Sequence, residues 1–171
     1  MEEYLKDKDS FTRAYEEYAE AIFRYCVFRV SDRERSLELM QETFTKTWEY
    51  ICKGREVKNL KAFLYKVAHN LCVNEIVRRR TYSLDAMREN TGFDLEDDKV
   101  QKPEDAGEIS ILLKNLGMLN SGDRDILEMR YIDDLKVSEI AEILDTLPNT
   151  ISVRIHRAEI ALKNIYQRHG R

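Results

Sequence analysis

Residues 135–158 have the sequence LKVSEIAEILDTLPNTISVRIHRA, the pattern of a short helix, a tight turn and a second helix. After the turn, apolar residues recur at spacings of four, three, four and three, so the second helix has one inner face: Ile151, Ile155, Ala158, Leu162 and Ile165. Its other positions are largely polar or basic, and arginine suits both phosphates and guanine edges. The pattern predicts a helix-turn-helix whose second helix enters a DNA major groove.

The first half of the chain predicts three helices, because apolar residues recur at helical spacing over 11–25, 37–51 and 60–71. The inner stripe predicted for the second of these helices is Leu37, Met40, Phe44, Trp48 and Ile51. The predicted N-terminal caps are Ser31 (in a capping box with Glu34), Asn59 and Ser121.

Residues 84–108 interrupt the helical pattern. They contain Pro103 and two glycines, and they hold nine acidic residues against three basic ones. Such a composition predicts a linker without a packed core. The predicted fold is therefore all-α, with two small helical domains (1–83 and 109–171) joined by a flexible acidic linker, the C-terminal domain being the helix-turn-helix.

The net charge of −4 argues against DNA binding only if the charge is evenly spread. Residues 61–84 and residues 148–171 each hold five basic residues and one acidic residue. The acidic excess lies between these segments. Each domain therefore offers a basic patch to which DNA phosphates can bind.

Several functional classes lack their sequence signatures. The chain has no glycine-rich phosphate loop, no H-E-x-x-H and no G-x-S-x-G, so we expect no enzyme activity and no cofactor. The three cysteines form no C-x-x-C pair and have no ligand spacing with histidine, which predicts small buried side chains and no metal. No apolar run approaches the ~20 residues that span a bilayer, and the charged N-terminus is unlike a signal peptide, so we expect a cytoplasmic protein without membrane insertion.

Two helices of the first half allow two interpretations each. The third carries aromatic, polar and basic residues that suit single-stranded DNA, namely Phe63, Tyr65, Lys66, His69, Asn70 and Arg78–Arg80. Taken alone, however, they fit better with core aromatics (Phe63 and Tyr65) and with arginines that complement a helix C-terminus. The second helix carries Glu38, Gln41, Glu42, Thr45 and Lys46 beside Leu39, which suits either a docking surface or an ordinary solvated face.

Three ordered segments resemble the extracytoplasmic-function (ECF) group of the sigma-70 superfamily of RNA polymerase sigma factors. SLELMQETFTKTW (36–48) resembles the family's core-polymerase-binding helix, and LKAFLYKVAHNLCVNEIVRRR (60–80) resembles its −10 helix. Residues 116–165 resemble its −35-binding domain. The resemblance implies a factor that binds core RNA polymerase, directs it to promoter DNA with −10 and −35 elements, and helps to open the duplex. An anti-sigma factor is a further implied partner.

The resemblance also implies roles by position. Contacts with core polymerase are implied for Glu38, Leu39, Gln41, Glu42 and Thr45. Binding of the non-template strand and of a flipped base at the −10 element is implied for Lys61, Phe63, Lys66 and Asn70, together with the 54–59 loop. Phosphate contacts are implied for Arg78, Arg79 and Arg80. Contacts in the −35 major groove are implied for Thr150, Ser152, Val153, Arg154, His156 and Arg157.

Six positions depart from the family pattern, among them Leu37, which replaces the usual acid, and Asn149, which replaces the commoner glycine. Phe63 replaces the usual tryptophan, Asp145 replaces the turn glycine, and Leu147 stands where a serine usually caps the recognition helix. Ser152 replaces the commoner lysine, which leaves the preferred −35 sequence open.

Two alternatives to a sigma factor belong to other classes. A stand-alone helix-turn-helix regulator would bind duplex DNA without polymerase, and a helical adaptor would bind a protein partner without forming a promoter complex.

Overall fold

The computed structural model describes residues 8–89 and 114–169, with side-chain surroundings for residues 9–81 and 114–168. The chain divides into two compact units, residues 1–98 and 99–171. Every regular element in the described ranges is an α-helix, so the predicted all-α class is confirmed. The first unit contains α1 (Lys8–Val30), α2 (Arg33–Cys52) and α3 (Leu60–Glu89). The second contains helical residues 114–117, then α4 (Ser121–Tyr131), α5 (Val137–Ile143) and α6 (Pro148–His169).

In the first unit, α1, α2 and α3 each pack against the other two around one core. Tyr25 of α1, Leu39 of α2 and Tyr65 of α3 are among its fully buried side chains. The rings of Tyr25 and Tyr65 meet edge to face, with 5.1 Å between centroids and 88° between planes. A pair in this geometry adds roughly 0.5–1.5 kcal/mol to the stabilisation from burial.

The buried face of α2 is wider than its apolar stripe. Ser36, Thr43 and Thr47 are fully buried, and each hydroxyl donates to the carbonyl four residues earlier at 2.6–2.8 Å. Because each hydroxyl is hydrogen-bonded, these three polar side chains can lie in the core. The buried face of α2 therefore extends round the helix as far as Leu39. Leu37 is instead 46% exposed. The sequence pattern placed Leu37 inside and Leu39 on the exposed face, and both predictions are wrong.

The caps of the first unit are partly as predicted. Ser31 is not a cap, because it has a φ of +54° and ends α1 with its N–H bonded to Val27. Asp32, whose backbone is extended, caps α2 by accepting the N–H of Arg35 at 3.0 Å. Asn59 accepts the N–H of Ala62 at 3.1 Å, which confirms the predicted cap of α3.

The backbone of α3 continues to Glu89, into the segment that the sequence assigns to the linker. The division between the two compact units falls within the same segment, between residues 98 and 99. Residues 90–108, where the predicted linker has most of its length, lie outside the described residues.

In the second unit, α4, α5 and α6 pack against one another as a helix-turn-helix domain. Ile126, Leu135, Ile140 and Ile151 are fully buried at its centre. The predicted inner face of α6 is confirmed at Ile151, Ile155 and Ala158, all buried, whereas Leu162 and Ile165 are half-buried.

Three residues at helix ends define the turns of this unit. Asn120, not Ser121, caps α4 by accepting the N–H of Asp123 at 2.9 Å, because Asn120 is the last residue with extended backbone. Asp145 has a φ of +48°, which confirms that aspartate takes the left-handed position in the turn between α5 and α6. Pro148 is the first residue of α6, where its missing N–H costs no helical bond.

The cysteines are free thiols and differ in burial. Cys26 and Cys72 are buried as predicted, but Cys52, the last residue of α2, is exposed. Cys52 therefore does not fit the prediction of a small buried side chain.

Candidate nucleic-acid and polymerase interfaces

The exposed face of α6 holds the six residues predicted for −35 DNA. The helix turns 100° per residue, so the arc opposite the buried stripe covers positions in its first three turns. Those positions are Thr150, Ser152, Val153, Arg154, His156 and Arg157. Arg154 is half-buried and the other five are exposed. The fold brings the whole predicted set onto one surface.

Arg154 lies at the edge of this surface and reaches toward α4. Its Nη2 donates to the carbonyl oxygen of Gly122 at 3.5 Å, and a Cβ at position 122 would lie 3.2 Å from the same nitrogen. The guanidinium therefore lies between α6 and the first turn of α4. A cation at the rim of the surface suits a backbone phosphate better than a base in the groove floor.

Glu159 is the sole acidic residue of 148–171. One of its carboxylate oxygens accepts the hydroxyl of Tyr131 in α4, and this bond raises the pKa of that tyrosine. The other oxygen lies 3.8 Å from Nδ1 of His156. The carboxylate is thus held against α4, away from the centre of the predicted DNA-facing arc.

The outer face of α3 gathers three of the four residues predicted for the −10 strand. Phe63, Lys66 and Asn70 follow one another at spacings of three and four, which places them on one face. Lys61 precedes Lys66 by five residues and lies about 140° round the helix from it. The fold therefore groups an aromatic ring, an amine and an amide, and it sets Lys61 apart.

Two side chains extend this surface from Phe63: Tyr50, which the sequence pattern missed, and Arg55 of the 54–59 loop, which lies over Tyr50. The ring of Tyr50, near the end of α2, lies 4.7 Å from the ring of Phe63. The guanidinium of Arg55 lies 5.1 Å from the centroid of Tyr50. We call these three side chains the Tyr50 platform. Tyr65, which the sequence reading grouped with Phe63, is buried against Tyr25 and faces the core instead.

The Tyr50 platform joins residues from three segments. Tyr50 belongs to α2, Arg55 to the connection, and Phe63 to the first turn of α3. The available signal was the pair of aromatics on either side of a short loop that contains Gly54, whose φ is +75°. Only the packing of α2 against α3 makes them neighbours.

Two of the three arginines predicted to contact phosphates bind a buried carboxylate instead. Glu75 of α3 is 2% exposed at its side chain, and three arginines bind it. Arg78 contacts it at 2.8 Å, Arg79 at 2.9 Å and Arg35 at 3.0 Å. We call this set the Glu75 cluster. All three arginines of 78–80 are exposed, but Arg80 has no ion pair with any described side chain.

Electrostatics within the Glu75 cluster favour the charged carboxylate. Hydrogen bonds from Arg78, then from Arg79 and Arg35, lower the pKa of Glu75 to about 2 against the opposing effect of burial. Arg79 also bonds Asp32 at 2.7 Å, and the pKa of Asp32 is lowered chiefly by the backbone N–H of Arg35. The cluster therefore ties α3 to the turn between α1 and α2.

The outward face of α2 carries four of the five residues predicted for polymerase contact. Glu38, Gln41, Glu42 and Thr45 lie on this face, exposed or half-exposed. Leu39 does not belong to it, since it is buried in the core. The exposed leucine of α2 is Leu37, one turn before Gln41.

Within the described ranges, no group of three or more histidine, cysteine, aspartate or glutamate side chains is arranged to hold a metal ion. None of the helices in those ranges combines the length and the apolar character that crossing a membrane requires.

Comparison with known sequences gives matches in both units. Residues 14–82 match the family described as Sigma-70 region 2, and residues 110–162 match Sigma-70, region 4. The chain is 27% identical over 163 residues to RNA polymerase sigma factor YlaC of Bacillus subtilis, with 93% of each protein covered. It is 29% identical over 167 residues to ECF RNA polymerase sigma factor SigW of Bacillus subtilis, with 92% of this chain and 89% of SigW covered.

Solved structures show the same fold. The sigma factor RpoE, in complex with the anti-sigma factor NepR from Bartonella quintana, matches with a TM-score of 0.70 and 20% identity, covering 94% of this chain and 98% of RpoE. CnrH, in complex with the cytosolic domain of CnrY, matches with a TM-score of 0.67 and 17% identity, covering 95% of this chain and 91% of CnrH.

Proposed function

The chain belongs to the ECF group of the sigma-70 family, and from this we propose how its two units divide the work of transcription initiation. It is an RNA polymerase sigma factor: it binds core polymerase and directs it to promoters. The observation that carries this function is the presence of regions 2 and 4 in order, one on each compact unit. We take 1–83 and 109–171 as the two functional domains and 84–108 as the linker.

The second unit, in our proposal, recognises the −35 element. Its support is the outward arc of α6, where a hydroxyl, an apolar side chain and basic groups follow a helix start in a helix-turn-helix. Arg157 and His156 lie within the arc, and Thr150 lies at its start. These side chains suit base edges and phosphates in a major groove. Arg154 takes a phosphate at the rim.

The first unit captures the separated strand at the −10 element. Phe63, Lys66 and Asn70 line the outer face of α3, and the Tyr50 platform adds a second ring beside them. Stacking on an aromatic ring stabilises an unpaired base by roughly 1–3 kcal/mol, which offsets part of the cost of unpairing. Lys61 contacts the strand from a separate side of α3. The arginines Arg78, Arg79 and Arg80 supply positive charge at the same helix.

Core polymerase binds the outward face of α2, which consists of Glu38, Gln41, Glu42 and Thr45. We replace Leu39 by Leu37 in this surface, because a contact residue must be accessible and only Leu37 is. An exposed leucine within a polar helix face suits a protein interface better than solvent.

The proposal also covers where the chain acts, its chemistry and its control. The chain acts in the cytoplasm, where core polymerase and DNA are found. It has no active site of its own, because sigma factors are initiation factors. An anti-sigma factor controls it, as the solved relatives RpoE and CnrH suggest, since the first is bound to an anti-sigma factor and the second to the cytosolic domain of CnrY.

Run-off transcription from sheared genomic DNA tests the whole proposal. Core RNA polymerase is assayed with and without the full chain, and new start sites are mapped. We expect discrete starts that share −10 and −35 motifs. Binding to duplex DNA as a dimer without polymerase, together with no new transcripts, would instead identify a stand-alone regulator.

A further inference from the structure

An apolar side chain occupies the middle of the predicted DNA-facing surface of α6. Val153 is two residues from Ile151 and from Ile155, and it lies almost directly opposite the stripe that these two residues form with Ala158. Val153 is 49% exposed. Thr150, His156 and Arg157 lie three or four residues away and border it with polar and basic groups.

The position of Val153 decides which part of the DNA it meets. A helix that enters the major groove turns the centre of its outward face to the groove floor, whereas residues at the edges of the arc meet the backbone. The sole carboxylate of 148–171 is held against α4 by Tyr131, so no acid of this segment competes with DNA at the centre. Val153 therefore faces base edges rather than phosphates.

Only one base carries an apolar group larger than a hydrogen atom at its major-groove edge, since cytosine offers no more than a C5–H. Thymine presents its 5-methyl group there, whereas the other groups are hydrogen-bond donors and acceptors. A valine side chain has no hydrogen-bond donor or acceptor. Against a guanine, cytosine or adenine edge it would displace the bound water without replacing the hydrogen bonds of that water. The chemistry of Val153 matches the thymine methyl alone.

We propose that Val153 contacts the 5-methyl group of a thymine in the −35 element and so helps to set promoter sequence preference. The inference rests on the proposed role of α6 in −35 recognition. Within that role, Val153 selects one base of the element, a thymine. Removing one buried methyl group from an apolar contact lowers affinity about fourfold.

The test uses holoenzyme assembled from core polymerase and the full chain, on a promoter obtained from the genomic run-off experiment. Each −35 thymine is replaced in turn by deoxyuridine, which removes the methyl group and keeps every hydrogen bond. Binding is measured by competition. We expect one position at which deoxyuridine weakens binding about fourfold. Val153→Ala should reduce that difference, because the shorter side chain withdraws from the methyl group. Alanine is a good helix former, so this exposed substitution leaves the fold intact.

Ile160→Ala is the matched control. Ile160 is 48% exposed and lies two turns further along the same face, so its variant should keep the full response to deoxyuridine. The inference is overturned if no −35 thymine responds, or if Val153→Ala responds like the unaltered chain. Loss of the response in Ile160→Ala would overturn it as well, because the effect would not belong to Val153. Absence of any promoter-specific transcription would instead reject the proposed function.

Discussion

The guanidinium of Arg79 bridges two carboxylates, binding Glu75 at 2.9 Å and Asp32 at 2.7 Å. A further N–H of Arg79 donates to the carbonyl oxygen of Val30 at 3.3 Å, at the end of α1. One side chain of α3 thus fixes both the turn between α1 and α2 and the buried carboxylate of its own helix. The same arginine belongs to the trio predicted to contact phosphates, so structure and DNA binding make competing demands on it.

Glu75→Gln should destabilise the first unit. The amide keeps the shape but removes the negative charge, which leaves Arg35, Arg78 and Arg79 facing one another around a buried neutral group. Because the three arginines are 28–56% exposed and can regain water, the cost should be at most the ~3 kcal/mol of breaking a fully buried ion pair. Urea unfolding of the full chain measures the change. Glu42→Gln is the control, because Glu42 forms only a surface pair with Lys46 at 3.4 Å and should change stability by less than about 1 kcal/mol.

Acid should weaken the first unit through the same carboxylate. The pKa of Glu75 falls from its ordinary value of 4.5 to about 2 in the folded chain, so the folded state binds a proton less readily than the unfolded state. Its contribution of at most about 3 kcal/mol is present above pH 4.5 and is lost as the pH falls toward 2. Unfolding free energies measured from pH 6 to pH 2.5 should decrease more steeply for the unaltered chain than for Glu75→Gln. Parallel profiles would contradict the assignment.

Arg80→Ala and Arg79→Ala should have different effects. Arg80 has no ion pair with any described side chain, so its removal should leave stability unchanged. The slope of log affinity for the promoter against log salt concentration should become less steep by about one, the value for one phosphate contact. Arg79→Ala leaves Asp32 and Glu75 short of a partner and should cost about 1 kcal/mol of stability. Holoenzyme binding at several salt concentrations, alongside thermal unfolding, separates the two. An unchanged salt slope for Arg80→Ala would remove it from the DNA surface.

Phe63→Leu and Tyr50→Leu should each slow promoter opening. Loss of a stacking ring weakens capture of an unpaired base by roughly 1–3 kcal/mol, so open-complex formation should fall about tenfold. A template with a pre-melted −10 region should restore most of the activity, because its opening cost is already removed. Phe28→Leu is the control, since Phe28 is an exposed aromatic of α1 outside the proposed surface. Equal defects on duplex and pre-melted templates would argue against capture.

Local patterns were sufficient for much of the fold. The spacing of Ile151, Ile155 and Ala158 predicted the inner face of α6, and Asn59 predicted the start of α3, because helix periodicity and capping depend on neighbours within a turn or two. The burial predictions for Leu37 and Leu39 were wrong, because the buried face of α2 depends on contacts beyond that range. The hydroxyls of Thr43 and Thr47 are buried because two other helices cover them, and a sequence reading counts them as polar.

By itself the sequence determined the helical class, the helix-turn-helix and the family, since these depend on periodicity and on ordered motifs. It also predicted which residues form the candidate sites. Only the tertiary structure decided how the charges and rings are used. Glu75 meets Arg35 across forty residues, and Tyr50 meets Phe63 across a loop, because α2 packs against α3. Long-range packing therefore adds Arg35 and Asp32 to the local pairs that Arg78 and Arg79 form with Glu75 inside α3. Arg80, five residues from Glu75, has no ion pair with any described side chain.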